Sequence, residues 1–310
     1  MATSGVTSFN LTRNDIIKAA LRLVTAESGE TPSASEIEDA SQALNLMIKS
    51  WIVPGAHLWT QTEATLFCTG GSYQYSFPGA FATKQYTTLA LAANAALGAT
   101  SLTVDSITGV LNGDFIGIVL DDNTIHWTTV NGVPAGVTIT ITTGLASAAA
   151  SGNRIYAFTT KTERPLRIYS LRRQDFAGSE TPFAYDGEPM SRREFLALPN
   201  KSATGIPVQG WYDPQLTTGK LSLWPTPEDS LSRVTFTYER TLEDFVNIAD
   251  NPDFPQEWLS ALKWNLAVEL APEYKIKLDK FVIDKAFELK TDVLSWDIDQ
   301  GSLYVSPECQ

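Results

Sequence analysis

Two histidines, two cysteines and one concentration of arginines are the residues of this 310-residue chain whose types could do chemistry. A zinc site or a His-based triad needs histidine beside other ligands or a nucleophile at a recognisable spacing. His57 follows the helix-ending Pro54-Gly55 and reads as a loop or packing residue. His126 sits beside Trp127 in a strand-like run and reads as facing a barrel surface. Neither has a second ligand type near it, so no catalytic, metal or cofactor-binding residue is assigned. Cys68 alternates with Leu66 and reads as core. Cys309 is far from it in sequence, which argues against a structural disulfide and for a reducing compartment. The chain has no Walker loop and no Gly-x-Gly-x-x-Gly before a helix, which argues against nucleotide-driven work. Asp121-Asp122-Asn123 reads as a hairpin turn, and Asp297-Ile-Asp299 as the polar end of a helix. A glycosidase needs only two suitably spaced carboxylates, so a wall-cutting activity stays open on the residues alone.

Arg164, Arg167, Arg172, Arg173, Arg192 and Arg193 form the basic concentration. Lys161 to Lys201 holds eight basic and six acidic residues. With acids interleaved, inter-subunit ion pairs are favoured over DNA contact, because the planar guanidinium pairs well with carboxylates in interfaces. Trp211 and Tyr212, in Gly210-Trp-Tyr-Asp-Pro-Gln-Leu-Thr-Thr-Gly219, either anchor a partner or fill the core of a small sheet. Tyr304, in the last stretch, is a further interface candidate.

The elements that must position these residues change period along the chain. Residues 1–11 read as an arm. Thr12 with Asp15, and Ser33 with Glu36, open two helices in capping-box fashion. Ile16, Leu21, Leu44, Ile48 and Trp51 lie on their apolar faces, forming a helical hairpin. From Leu58 the period falls to two, through Leu66, Cys68, Tyr73, Tyr75 and Phe77. Residues 88–158 are rich in Ala, Gly, Thr and Ser. Short strands are expected there at 101–105, 114–120, 124–130, 137–142 and 154–158, as a small inserted β-domain. Strands resume at 165–171, 206–212, 219–224 and 233–238. Helical spacing returns at Phe254 to Ala271, with Trp258, Leu262 and Leu266. After Pro272 a second helical stripe runs through Tyr274, Leu278, Phe281, Val282, Ala286, Leu289, Val293 and Trp296. Residues 297–310 read as a second arm. The expected class is α+β: a helical bundle made from both chain ends (12–57 and 254–296), a β-rich domain (58–87 and 159–253) and the inserted domain.

The formal charge is −12, which argues against a conventional nucleic-acid binder. From Glu239 onward, seven basic residues face fifteen acidic ones. No run is long and apolar enough to span a membrane, so no membrane insertion is expected, and the start lacks signal-peptide character.

Several segments, in this order, resemble the head-to-tail adaptor proteins of short-tailed bacteriophages, the family that includes tail accessory factors, packaged-DNA stabilisation proteins and tail tubular protein A. They are Thr12-Arg-Asn-Asp-Ile-Ile-Lys-Ala-Ala-Leu21, Ala43-Leu-Asn-Leu-Met-Ile-Lys-Ser-Trp51, Arg164-Pro-Leu-Arg167, Ser191-Arg-Arg-Glu-Phe195, Leu198-Pro-Asn-Lys201, Trp211-Tyr-Asp-Pro-Gln215, Leu223-Trp-Pro-Thr-Pro227, and Phe254 to Ala271 with Pro272-Glu-Tyr274. Residues 88–158 depart from the compact members and look like small decoration-type β-domains of other virion proteins. The resemblance implies a virion protein at the head-tail junction, assembled in the host cytoplasm. It implies a homo-oligomeric ring of about twelve copies that docks on the portal protein, retains and conducts double-stranded DNA, and receives a tail nozzle or tail tube protein, with tail fibres as further neighbours. It implies no cofactor and no enzyme activity. The alternatives are a peptidoglycan-degrading virion enzyme, or a receptor-binding or decoration module acting through the insertion.

Overall fold

The computed structural model describes residues 9–24, 32–51, 58–175, 179–184 and 187–297. The elements run α1 (Arg13–Val24), α2 (Ala34–Trp51), a short 3-10 turn (Leu58–Thr60), β1 (Gln61–Phe67), β2 (Gln74–Phe77), β3 (Ala82–Thr83), β4 (Thr87–Ala90), β5 (Ser101–Thr103), β6 (Phe115–Val119), β7 (Ile125–Thr129), β8 (Thr138–Thr140) and β9 (Arg154–Phe158). They continue as β10 (Arg167–Gln174), β11 (Glu180–Pro182), α3 (Arg192–Ala197), β12 (Thr204–Gly205), β13 (Gln209–Pro214), β14 (Gly219–Trp224), β15 (Thr226–Pro227), β16 (Arg233–Glu239), α4 (Trp258–Leu270) and α5 (Lys280–Trp296). The chain is α+β. It divides into a unit of residues 1–60 with 242–310, which holds α1, α2, α4 and α5, and a β unit of residues 61–241.

In the helical unit each of the first two helices opens on a reciprocal cap. Thr12 Oγ1 donates to Asp15 Oδ2 at 2.6 Å while the Asp15 N–H donates to Thr12 Oγ1 at 3.3 Å. The Ser33 N–H donates to Glu36 Oε2 at 2.7 Å and the Glu36 N–H to Ser33 Oγ at 3.3 Å. These bonds hold the Asp15 and Glu36 carboxyls below their ordinary pKa values, with the Thr12 hydroxyl the main cause for the first and the Ser33 N–H for the second. Depressed folded pKa values mean that the caps contribute fully above the ordinary unfolded carboxylate value, near about pH 4, and lose that contribution as pH falls through the folded values. Thermal unfolding followed from pH 7 to pH 3 should therefore show the midpoint falling on the acid side, and Glu36→Gln should blunt the fall.

The apolar faces meet in one buried cluster that contains Ile16, Leu21, Leu44, Ile48, Trp51, Trp258, Leu262 and Leu266, with Leu242 and Phe245 from the segment before α4. That segment corrects the expected boundary at residue 254, because residues 242–253 pack with the helices. Asn45 explains why: its Nδ2 donates to the Phe245 carbonyl and its Oδ1 accepts the Phe245 N–H, both at 3.1 Å. Lys49 Nζ adds the Leu242 carbonyl at 2.9 Å and the Asp244 carboxylate at 2.7 Å.

Two residues expected in this core, Leu278 and Val282, are only half-buried and lie outside the cluster. Leu278 precedes α5, whose N-cap is Asp279, with its side chain accepting the Phe281 N–H at 2.8 Å. Helix α5 instead turns its small Ala286 and Val293 inward. The small side chain lets Asn265 Nδ2 of α4 reach the Ala286 carbonyl at 3.0 Å. Phe281 and Trp296, both on the expected stripe, are 66% and 65% exposed.

In the β unit, a sheet ordered β11-β10-β16-β1-β3 is antiparallel throughout. Period-two alternation sends Ala64, Leu66, Leu171, Val234, Phe236 and Tyr238 to one face. There they share a core with Tyr75, Phe77, Tyr212, Leu221 and Leu223 of the sheet β13-β14-β2. Residues 88–158 form the sheets β4-β9-β6-β7 and β5-β8 around an aliphatic core of their own that includes Leu89, Leu102, Ile116, Ile118, Ile139 and Ile155. A separate aromatic cluster joins this insertion to β1. Phe67 stacks on Tyr156 at 4.3 Å and meets Tyr86 edge-on at 5.0 Å, with Trp127 and Phe158 at 5.7 and 6.1 Å. Gly117, opposite Trp127 across β6 and β7, leaves room for the indole; a Cβ there would lie 2.5 Å from the ring.

Candidate functional site

Arg172, on β10, pairs with Glu63 of β1, reaching across β16, and its Nε lies 3.3 Å from Glu180 of β11. Carboxylates of the same sheet thus occupy this guanidinium. Arg167 is exposed at the start of β10, Arg173 is half-buried along it, and Arg164 lies in the segment before it. Arg192 and Arg193 are exposed in the first turn of α3, an end of a helix that disfavours cations. The capping box of Ser191 and Glu194 offsets this and holds the Glu194 carboxyl below its ordinary pKa, chiefly through the Ser191 N–H.

Trp211 and Tyr212 part company because neighbours on a strand face opposite ways. Tyr212 is a correction to its interface assignment: it is 8% exposed, and its hydroxyl donates to the Pro165 carbonyl at 2.5 Å. Trp211 is half-buried and stacked on Phe195 of α3 at 5.3 Å. Tyr304, like His57, Cys309 and Asp299, lies outside the described residues. The arginine that sequence patterning missed is Arg233, at the start of β16. It is buried and donates to the Tyr86 hydroxyl at 2.9 Å and the Asp175 carbonyl at 3.0 Å. It has no sequence neighbour of like charge, so clustering gave no signal for it.

The other candidate chemistry resolves into structure. Cys68 is fully buried, and burial with the nearby Asp229 charge pushes its thiol up to about 12. A thiol in that state holds almost no thiolate at neutral pH. A thiol reagent at pH 8 should leave Cys68 unlabelled in the native protein and label it on unfolding in urea, as site-resolved mass spectrometry would show. His126, half-buried on β7, has Nε2 at 3.3 Å from both the carbonyl and the hydroxyl of Thr143. Asp121 accepts the Ala150 N–H at 2.9 Å, Asp122 the Thr124 N–H at 3.0 Å, and Asn123 takes a φ of 62° at the turn. Among the described residues no group of three or more His, Cys, Asp or Glu side chains could hold a metal ion.

Charge is unevenly placed. Residues 1–60 and 242–310 hold 10 basic and 20 acidic residues, a net of −10 within the chain total of −12. Leu46, Val246, Ile248, Phe281, Phe287 and Trp296 are exposed on this same unit. No helix among the described residues is long and apolar enough to cross a membrane. No protein-family model matches the chain, and no curated protein matches it.

Proposed function

We propose that the protein is a structural virion component, a head-to-tail adaptor. In this reading the helices from both chain ends form a bundle that docks as a ring, of about twelve copies, on the portal. The β unit and its insertion provide the platform for the tail nozzle or tail tube. The observation that carries the reading is the concentration of ten net negative charges on the helical unit. A wall of like charge keeps a passing polyanion from adhering, whereas a site that holds DNA would need clustered Lys and Arg. The exposed Phe281, Phe287 and Trp296 of α5 supply apolar area for contact between copies. No covalent step and no cofactor enters this role.

The test is negative-stain imaging of the purified protein with and without portal rings. A closed ring on the portal is expected, and its formation should depend on salt because acidic copies must be screened from one another. No association with portal rings at any ionic strength would overturn the reading. Removing residues 298–310 should weaken attachment to the portal, measured by co-sedimentation.

A further inference from the structure

The insertion holds the chain's two Asn-Gly pairs, Asn112-Gly113 and Asn131-Gly132. In such a pair the side-chain amide is open to attack by the next backbone nitrogen, because glycine has no Cβ to block the approach. Both glycines turn the chain with positive φ, 88° and 85°, and all four residues are exposed. The first pair leads into β6 and the second follows β7, so the two turns lie side by side and hold each other. The Gly132 N–H donates to Asn112 Oδ1 at 2.8 Å, and the Gly113 N–H donates to the Val130 carbonyl at 3.0 Å.

These bonds do not protect the two asparagines equally. Attack on Asn112 requires its own amide to leave the Gly132 N–H and the Gly113 N–H to leave a main-chain carbonyl. Attack on Asn131 requires only that the Gly132 N–H leave an exposed side chain, because among the described residues the Asn131 side chain makes no hydrogen bond. A hydrogen-bonded backbone N–H loses its proton to base from the locally opened form, and opening costs least at exposed turns. The geometry points to Asn131 as a site of spontaneous covalent modification, with Asn112 as the brake on it. The Gly132 nitrogen gives its proton to solvent base and bonds to Asn131 Cγ. The Cγ–Nδ2 bond breaks, Nδ2 takes a proton back from solvent and leaves as ammonia, and the pair closes into a succinimide. Water then opens the ring at either carbonyl, giving aspartate or isoaspartate with no change of oxidation state. Either product adds a negative charge, and isoaspartate adds a methylene to the backbone. Both changes fall beside the seam where the Asn131 N–H donates to the Thr140 carbonyl at 2.8 Å and Val130 bridges Ile141. The inference concerns the insertion by itself and does not rest on the adaptor reading.

The test is peptide-mapping mass spectrometry of the full-length protein held at pH 8 and sampled over time, both folded and unfolded in urea. The folded protein should gain the deamidation mass at Asn131 well before Asn112, whereas in urea both should react at similar rates, since each precedes a glycine. Asn112→Ala should speed the reaction at Asn131 by about two- to tenfold in the folded protein, the factor for removing one hydrogen bond, and leave its rate in urea unmoved. Asn112→Asp keeps an acceptor for the Gly132 N–H and should hold the folded rate at or below that of the parent protein. Circular dichroism checks the folding of both variants. Asn112 reacting as fast as Asn131 in the folded protein would overturn the proposal, as would an Asn112→Ala variant whose folded rate at Asn131 is unaltered. No detectable reaction at Asn131 in the folded protein by the time the urea sample has fully reacted would overturn it too.

Discussion

Replacing Trp258 with alanine is expected to lower the unfolding free energy of the helical unit by about 3–5 kcal/mol, the range for removing a large aromatic side chain from a packed core. Trp258 is fully buried at the first turn of α4, and three aromatic rings surround it: Trp59 at 5.0 Å, Phe254 at 5.6 Å and Trp51 at 5.8 Å. Trp51 ends α2, Trp59 belongs to the turn that follows, and Phe254 precedes α4, so one side chain ties segments from distant parts of the sequence. Lys290 of α5 lies over the opposite partner, Trp51, at 4.6 Å. Truncation would leave a void bounded by rings that cannot collapse without moving three backbone segments. Urea unfolding followed at 222 nm should show the loss, and Leu46→Ala, at an exposed position of the same unit, should shift stability by no more than about 0.5 kcal/mol. A Trp258→Ala loss below about 1 kcal/mol would mean that the aromatic cluster is not the centre of this unit.

The second large effect is expected at Phe67, fully buried at the end of β1. Its ring is the common partner of Tyr86, Trp127, Tyr156 and Phe158. Phe67→Ala should cost about 3–5 kcal/mol. The damage should be local, because the insertion's aliphatic cluster is separate from the aromatic one. Limited proteolysis should therefore cut the variant first in the crossing segments at 83–87 and 158–162, releasing an insertion that still resists digestion. Simultaneous loss of the insertion and the parent sheets would contradict the division into two cores.

Sequence patterning located the helices and strands well where one face is buried and one is not. The five strands expected in the insertion fall within two residues of their expected ends, since Gly, Asn and Asp turns bound them tightly, whereas β4 had no counterpart in the expectation. It did less well where apolar residues surround an element. Helix α5 carries Phe281, Ile283, Phe287 and Trp296 as well as Ala286, Leu289 and Val293, so several stripes fit its period. Only tertiary contact decides among them, and α4 selects the side with the smallest residue. The aromatic pair at 211–212 shows the same limit. Residue type says that both rings will find contact, but the pleat and the Pro165 carbonyl decide which is core. The arginines form a cluster in sequence, but the carboxylates that meet Arg172, Glu63 and Glu180, come from strands that sequence proximity cannot pair with it. The packing of the segment before α4 against α2 gave no sequence signal, because Asn45 and Phe245 meet from two hundred residues apart.

The insertion begins and ends on neighbouring strands. Thr87 pairs with Ala157 where β4 meets β9, and below that pair the Thr162 N–H donates to the Ala82 carbonyl at 2.8 Å while Thr83 Oγ1 donates to the Thr160 carbonyl at 2.7 Å. The gap that must be closed if everything between were removed is already a single strand spacing. The cost of joining two chain ends depends on that gap and only weakly on the length of what is hung between them. The parent sheets therefore carry a socket: a replacement for residues 88–158 needs only termini that lie side by side, together with apolar cover for Phe67 in place of Trp127, Tyr156 and Phe158.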